Sequence, residues 1–241
     1  MSVKPERLNE FEQKIKGLSF IKTLYICKML KTENHSAKIA EFLLNIKAIK
    51  LQPNEPFKWA SGWNSPIYCD NRKTLSYPEI RTYIKNCFTA QILEKYGTPD
   101  MIAGVATGGI ALGALVAEEI GVPFCYVRSQ SKSHGLTNKI EGEINSKQNV
   151  VVIEDLISSG KSSLDAVDAL RAIGCNIIGM GAIFSYGFDI AQENFNEAKC
   201  ELFTLTNYDT LIKIAVESNY ISQDHLSSLA EWRKSPSTWK K

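Results

Sequence analysis

The chain contains no apolar run long enough to cross a bilayer, where a spanning helix needs about 20 consecutive apolar residues. It has no CxxC pair. The six cysteines, Cys27, Cys69, Cys87, Cys125, Cys175 and Cys200, stand singly, and several lie in apolar stretches. That argues against zinc ribbons and redox dithiols, and leaves buried thiols in a reducing compartment as the expectation. There is little excess charge: the formal net charge is +2, so neither nucleic acid nor a membrane surface is an expected partner. The opening MSVKPERLNEFEQK is too acidic and too weakly apolar for a signal or transit peptide. A cytoplasmic location follows as the expectation. Internal repeats and low-complexity segments are also missing. What remains is ordinary for a globular protein: 241 residues, 44% hydrophobic and 22% charged, enough for one α/β domain with a sizeable core.

Residues 150–163 read VVVIEDLISSGKSS and carry the strongest signal. The β-branched run suits a strand at 150–153 buried in a parallel sheet. Two adjacent carboxylates, Glu154 and Asp155, close it. A polar loop follows, Ser158-Ser159-Gly160-Lys161-Ser162, and then a helical pattern at 162–173 with Gly174 as its stop. A Ser/Gly loop opening onto a helix presents backbone N–H groups and the positive end of a dipole, which is an anion site. Carboxylates beside a bare phosphate would repel it. Their presence calls for a ligand that carries hydroxyls, or a bound metal, next to its phosphate, and a sugar phosphate satisfies both. Gly160-Lys161-Ser162 matches the end of a nucleotide P-loop, but the first glycine of that motif would fall on Asp155. A carboxylate there excludes the NTPase reading. A capped helix after a buried strand accounts for the serines and glycine, not for the acids. Ligands of open α/β sheets sit at strand carboxyl ends.

Along the chain, residues 1–36 stand apart, with LSFIKTLYICKML (18–30) their only apolar stretch. Met29 just before KTENHS is a candidate natural start, and an additional helix is the competing reading. A helical pattern covers Ala37 to Ile49. Phe57–Trp59 and Pro66–Cys69 are strand-like, separated by a Ser/Gly/Asn turn. Tyr77-Pro78 opens a helix with Ile80, Ile84, Cys87, Phe88 and Ile92 on one face. Met101–Ala106 is a strand, Thr107-Gly108-Gly109 a tight loop, and a helix runs on to Ile120. Phe124–Arg128 and Asn176–Phe184 are strands, as is Cys200–Thr206 after a short helix, with helical patterns at the C-terminal end. Strands alternating with helices predict a doubly wound parallel sheet.

Two further segments point to polyanion chemistry. Amides of the Thr107-Gly108-Gly109 loop can hold a second anionic group. A glycine turn needed only for connection explains this motif equally well in isolation, and its pairing with the 154–162 loop favours the anion. Residues 128–143, RSQSKSHGLTNKIEGE, form a long polar segment that cannot enter a core. It brings Arg128, Lys132 and His134 close together at a strand carboxyl end. Three cation-capable groups on such an arm can close over a polyanion and exclude water. A solvated charged face is the bland alternative. His134 sits in a polar setting where its charge changes near neutral pH.

The 150–163 segment resembles the phosphoribosyl pyrophosphate (PRPP) signature of type I phosphoribosyltransferases. The fragments ASGWNSPIYCDNRKTLSYP (60–78) and 128–143 resemble orotate phosphoribosyltransferases in particular. The likeness runs from about Ala37 to EWRKSP near the C-terminus. It implies the type I phosphoribosyltransferase fold: an α/β doubly wound parallel sheet, with a small N-terminal hood formed mainly by 37–76 in a single domain 37–241. It implies transfer of ribose 5-phosphate from PRPP to orotate, giving orotidine 5′-monophosphate and pyrophosphate in a homodimer. Carried over by motif, Glu154 and Asp155 hold the ribose hydroxyls, and Leu156, Ile157, Ser158, Ser159, Gly160, Lys161 and Ser162 cradle the 5-phosphate. Thr107, Gly108 and Gly109 meet the pyrophosphate. Arg128, Lys132 and His134 act on the leaving group from the neighbouring subunit, with Asp155 counted among the catalytic residues. Tyr68, Arg72 and Ser158 contact orotate, with Trp63 a second aromatic that can cover the ring. Mg2+ is the implied cofactor, held mainly by PRPP rather than by protein side chains.

Two departures stand out. Relatives usually carry a second glycine where this chain has Lys161, and a left-handed backbone there would strain a lysine. Ala60 and Ser129 stand where one branch of the family has lysines, so the chain resembles the other branch, which includes many Gram-positive and Bacteroidetes-type enzymes. A purine-type phosphoribosyltransferase and a PRPP-sensing regulator are the alternatives. The regulator needs a DNA-binding domain for which 36 residues are too few.

Overall fold

The structure is a computed structural model and describes residues 34–59, 62–128 and 139–240. Met29, Ala60, Ser129, Lys132 and His134, with the expectations attached to them, lie outside the described residues.

Helix α1 (His35–Asn45) buries Ile39, Ala40, Leu43 and Leu44. It packs against α6 (Tyr208–Glu217) and β10 (Leu202–Asn207). The sequence expectation carried this helix to Ile49. Instead Lys47 turns the chain at φ 54, and Ile49 begins strand β1 (Ile49–Leu51). The apolar residues 39, 43 and 49 fit a helical stripe as well as a helix followed by a strand, so spacing alone could not place the end. Strand β1 pairs antiparallel with β4 (Ile67–Cys69), Ile49 opposite Cys69. Between them β2 (Phe57–Lys58) and β3 (Asn64–Ser65) form a second short antiparallel pair. A 3₁₀ turn, Asn71–Ser76, then leads into α2 (Pro78–Tyr96). Pro78 occupies the first helical turn, and Ile80, Ile84, Cys87, Phe88 and Ile92 are all buried, as the periodicity predicted.

The main sheet has six strands in the order β10-β9-β8-β5-β6-β7. Its members are β5 (Met101–Val105), β6 (Phe124–Val127), β7 (Ile140–Glu141), β8 (Asn149–Ile157), β9 (Asn176–Ser185) and β10. All neighbours are parallel except β6 and β7. Strand β7 falls within the stretch expected to be irregular; two residues are too short to show a period. Helix α3 (Gly108–Ile120) links β5 to β6, and α4 (Lys161–Ala172) links β8 to β9. Helix α5 (Asp189–Glu197) links β9 to β10. Leu164, Ala166, Val167, Ala169 and Leu170 of α4 and Phe195 of α5 pack with Met101, Ala103, Val150, Val152 and Met180 on one face of the sheet. Helix α3 crosses the other face so closely that a Cβ on Gly104 of β5 would lie 2.6 Å from the Gly109 carbonyl oxygen. Helices on both faces of a parallel sheet make the doubly wound architecture that the alternation predicted.

The C-terminal end folds back over this frame. Trp232 of α7 (Leu226–Lys234) is fully buried. Its ring lies 5.7 Å from Trp59 and 5.7 Å from Tyr186, centroid to centroid. Trp59, just after β2, also packs on Tyr186 at 5.4 Å. The short strands before α2 are thereby anchored beside the carboxyl end of β9. Among the described residues no helix is long and apolar enough to cross a membrane.

Candidate active site

Strand β8 is longer than its apolar run suggested, because it continues through Glu154 and Asp155 to Ile157. The acids are therefore strand residues, and their carboxyls stay within hydrogen-bond reach of one another. Glu154 is held from α4: Ser163 Oγ donates to its Oε2 at 3.0 Å, and the Asp155 amide donates to its Oε1 at 2.9 Å. Asp155 lies under the start of α3, where a Cβ on Gly108 would fall 2.2 Å from its carboxyl carbon. A Cβ on Gly109 would fall 2.2 Å from the Ile153 carbonyl oxygen. These two glycines are what lets the 107–109 loop lie directly on the acid strand. The Ala106–Thr107 peptide is cis. The structure thus brings together the Thr107-Gly108-Gly109 loop and the acid pair, two motifs 45 residues apart in sequence.

Burial, and next the charge of Asp155, push the Glu154 carboxyl up to about 8. Asp155 is raised too, first by burial, with a hydrogen bond to the Glu154 side chain and then the nearby Arg72 guanidinium pulling the other way. Near neutral pH Glu154 holds its proton, with both oxygens engaged by the protein. Asp155 is the acid that faces the 107–109 loop. A raised carboxyl gives stability that is complete below its unfolded value near 4.5 and is lost as pH rises through about 8. Glu154→Gln should remove that loss. The variant is expected to exceed the wild type by on the order of 4 kcal/mol at pH 8.5, and to match it near pH 4.5. Urea unfolding at the two pH values checks this; a difference that does not grow with pH would contradict it.

The loop Ser158-Ser159-Gly160 follows β8, and α4 begins at Lys161. Gly160 is the left-handed residue, at φ 78, and a Cβ there would meet the Phe195 ring at 2.6 Å. Lys161 is the first residue of α4, exposed and without a left-handed backbone, so a lysine sits there at no conformational cost. Leu164 N–H bonds the Gly160 carbonyl at 2.9 Å, and Lys161 N–H meets Ser159 Oγ at 3.5 Å. The Ser162 and Ser163 amides, at the positive end of α4, make no backbone bond to Ser158 or Ser159. Asn194 of α5 fixes the loop from behind, its Nδ2 donating to the Ser159 carbonyl at 2.9 Å. A Ser/Gly loop opening onto a helix N-terminus in this way has the geometry of an anion cradle. Ile157, in contrast, is fully buried in the core, so only its backbone is near the cradle.

Arg128 follows β6, with its amide bonded to the Lys139 carbonyl at 2.8 Å and its guanidinium 3.3 Å from Glu141. Strand β7 therefore braces the start of the polar arm. On the other side, Tyr68 is 41% exposed and Arg72 pairs with Asp70 at 2.7 Å. Trp63 is also exposed, at 38%. Among the described residues no group of three or more His, Cys, Asp or Glu is placed to hold a metal. Both Glu154 oxygens already accept from Ser163 and the Asp155 amide, so a hard cation at this site would take its ligands mainly from a bound substrate.

Five residues at the site escaped the sequence reading. Ser163 bonds Glu154, Asn194 and Phe195 support the loop, and Asn71 donates to the Asp155 carbonyl at 2.7 Å. Tyr186 joins them: it is buried, and burial above all raises its phenol well above the usual range. Asn71 and Ser163 lie inside quoted motifs, whereas Asn194 and Tyr186 carried no local signal.

The phosphoribosyl transferase domain family matches residues 75–216. The orotate phosphoribosyltransferase of Porphyromonas gingivalis is 57% identical over 201 residues, 83% of this chain and 96% of the relative. That of Bacteroides fragilis is 55% identical over 207 residues, 86% of this chain and 98% of the relative. The crystal structure of orotate phosphoribosyltransferase from Aeropyrum pernix shares the fold, with a TM-score of 0.64 at 24% identity, covering 76% of this chain and 99% of that one. With two strand-end loops astride an acid pair, and relatives this similar over nearly their whole length, the chain belongs to the phosphoribosyltransferase family and, within it, to the orotate phosphoribosyltransferases.

Proposed function

We propose that the chain transfers the ribose 5-phosphate of PRPP to orotate, forming orotidine 5′-monophosphate and pyrophosphate, a step of de novo UMP synthesis in the cytoplasm. The observation that carries the reading is the meeting of three elements at the carboxyl ends of β5 and β8. They are the 107–109 loop, the Glu154–Asp155 pair and the 158–162 cradle. A ligand that fits all three has a phosphate, vicinal hydroxyls and a second polyanion.

In this reading the amides of 158–162 and the N-terminus of α4 bind the 5-phosphate. Asp155 accepts from the ribose hydroxyls, and Glu154 supports it. Amides of Thr107, Gly108 and Gly109 hold the pyrophosphate. Tyr68, Arg72 and the Ser158 amide orient orotate under a hood formed by 37–76, so that its N1 faces the anomeric carbon. As the bond from that carbon to the pyrophosphate oxygen breaks, positive charge grows on the ribose ring beside Asp155. Negative charge grows on the leaving group, where Arg128, Lys132 and His134 reach it from the partner subunit of a homodimer. Magnesium, when bound with PRPP, neutralises pyrophosphate charge.

The test is loss of orotate absorbance with PRPP, with and without magnesium, alongside adenine, guanine and hypoxanthine. Turnover of a purine in place of orotate would favour a purine-type enzyme. PRPP-dependent DNA binding without turnover would favour a regulator. In the same assay Lys132→Ala should lower kcat about 10²–10³-fold while changing stability by less than about 0.5 kcal/mol. Undiminished turnover would remove Lys132 from the mechanism.

A further inference from the structure

Strand β5 pairs with β8 only as far as Gly104 opposite Ile153. Strand β8 runs on for four residues, still paired with β9. Past Ile153 it has no strand toward β5, and the main chain of Asp155 is met by side chains instead. Its N–H goes to Glu154 Oε1 at 2.9 Å, and its C=O accepts from Asn71 Nδ2 at 2.7 Å. Asn71 is 1% exposed. Its Oδ1 accepts from the Cys69 thiol at 3.3 Å, which turns the amide nitrogen toward Asp155. A buried carbonyl left unpaired is unfavourable, so this bond is selected strongly by the fold.

We propose that Asn71 is a positioning residue: acting as a substitute strand, its amide fixes the Asp155 main chain and sets where the carboxylate points. Asn71 opens the 3₁₀ turn and is flanked by Tyr68 and Arg72. The same bond therefore ties the segment assigned to orotate to the acid assigned to ribose. The inference rests on Asp155 serving the ribose subsite.

The test uses Asn71→Leu, which removes both amide contacts at similar volume, and Asn71→Asp, which keeps an acceptor for Cys69 but loses the donor. Calorimetry with PRPP and magnesium should show affinity about 10-fold weaker in both, and kcat about 10- to 100-fold lower, since small misplacements of reacting groups cost that much. The orotate KM should move less than about threefold. Inorganic phosphate, which probes the cradle alone, should bind as in the wild type. In an Asp155→Asn background the Asn71 variants should add less than about a twofold loss, because the two act as one unit. Unchanged PRPP affinity and kcat would overturn the proposal. So would equal weakening of phosphate and PRPP, or full additivity with Asp155→Asn. A wild type with no saturable PRPP binding would bring down the proposed function instead, and this inference with it.

Discussion

Asp155→Asn is expected to lower kcat/KM for PRPP about 10²–10³-fold, with the variant unfolding at the same or a higher temperature than the wild type. Both halves follow from the surroundings of one side chain. The Asp155 backbone is gripped by Glu154 and Asn71, and neither bond involves the carboxylate. Asparagine has nearly the same shape, so it keeps the Gly108 contact and the strand. What it loses is the anion that accepts from ribose and faces the positive charge of the breaking bond. What it gains is relief from burial, which raises the Asp155 carboxyl. A raised folded value means stability that is complete at acid pH and falls as pH climbs, so the advantage of the neutral variant is larger at pH 8 than at pH 4. Steady-state kinetics with thermal unfolding at both pH values separates the effects. Unchanged kinetics would strike Asp155 from the mechanism. A marked stability loss would make it a structural residue.

The same contrast shows how far the sequence could be read. The doubly wound sheet was legible because its evidence is local and repeated: helical periodicity in α2, the β-branched run of β8, glycine stops at Gly121 and Gly174. The acid pair and the cradle were legible because carboxylates at the end of such a run have no packing role. Where the acids sit was not. Strand β8 passes through them to Ile157 because β9 stays paired to its end, a long-range fact invisible in the run itself. Lys161 looked like a departure because a short motif does not say which residue turns left-handed; the structure gives that role to Gly160. Asn71 was inside a fragment recognised for other reasons. Its partner lies 84 residues away, and no spacing rule joins them. Asn194 and Tyr186 come from elements with no motif at all, brought to the site by the packing of α5 and the end of β9.

Gly108→Ala and Gly109→Ala are expected to fail in different ways, although they are adjacent. Neither glycine has a positive φ among the described residues, so alanine meets crowding there rather than a forbidden backbone. At Gly109 the new Cβ lies 2.2 Å from the Ile153 carbonyl oxygen. That is backbone of β8 at the last pair it makes with β5, and it cannot withdraw without opening the two central strands. Overpacking against an immobile neighbour predicts a loss of about 3 kcal/mol, which in a chain of this size lowers the melting temperature by roughly 6–12 °C. At Gly108 the neighbour is the Asp155 carboxyl, the mobile end of a side chain. It can rotate away, so stability should fall by about 1 kcal/mol or less, but the carboxylate then no longer faces the ribose. Turnover should drop about 10²-fold. Because that loss acts through Asp155, adding Gly108→Ala to Asp155→Asn should lower the rate little further, whereas Gly109→Ala should destabilise both backgrounds equally. Melting curves and kcat for the two single and two double variants decide it. If Gly108→Ala kept full activity, the contact between the 107–109 loop and the acid would be only packing, and the case for a shared pyrophosphate–ribose site would lose its geometric basis.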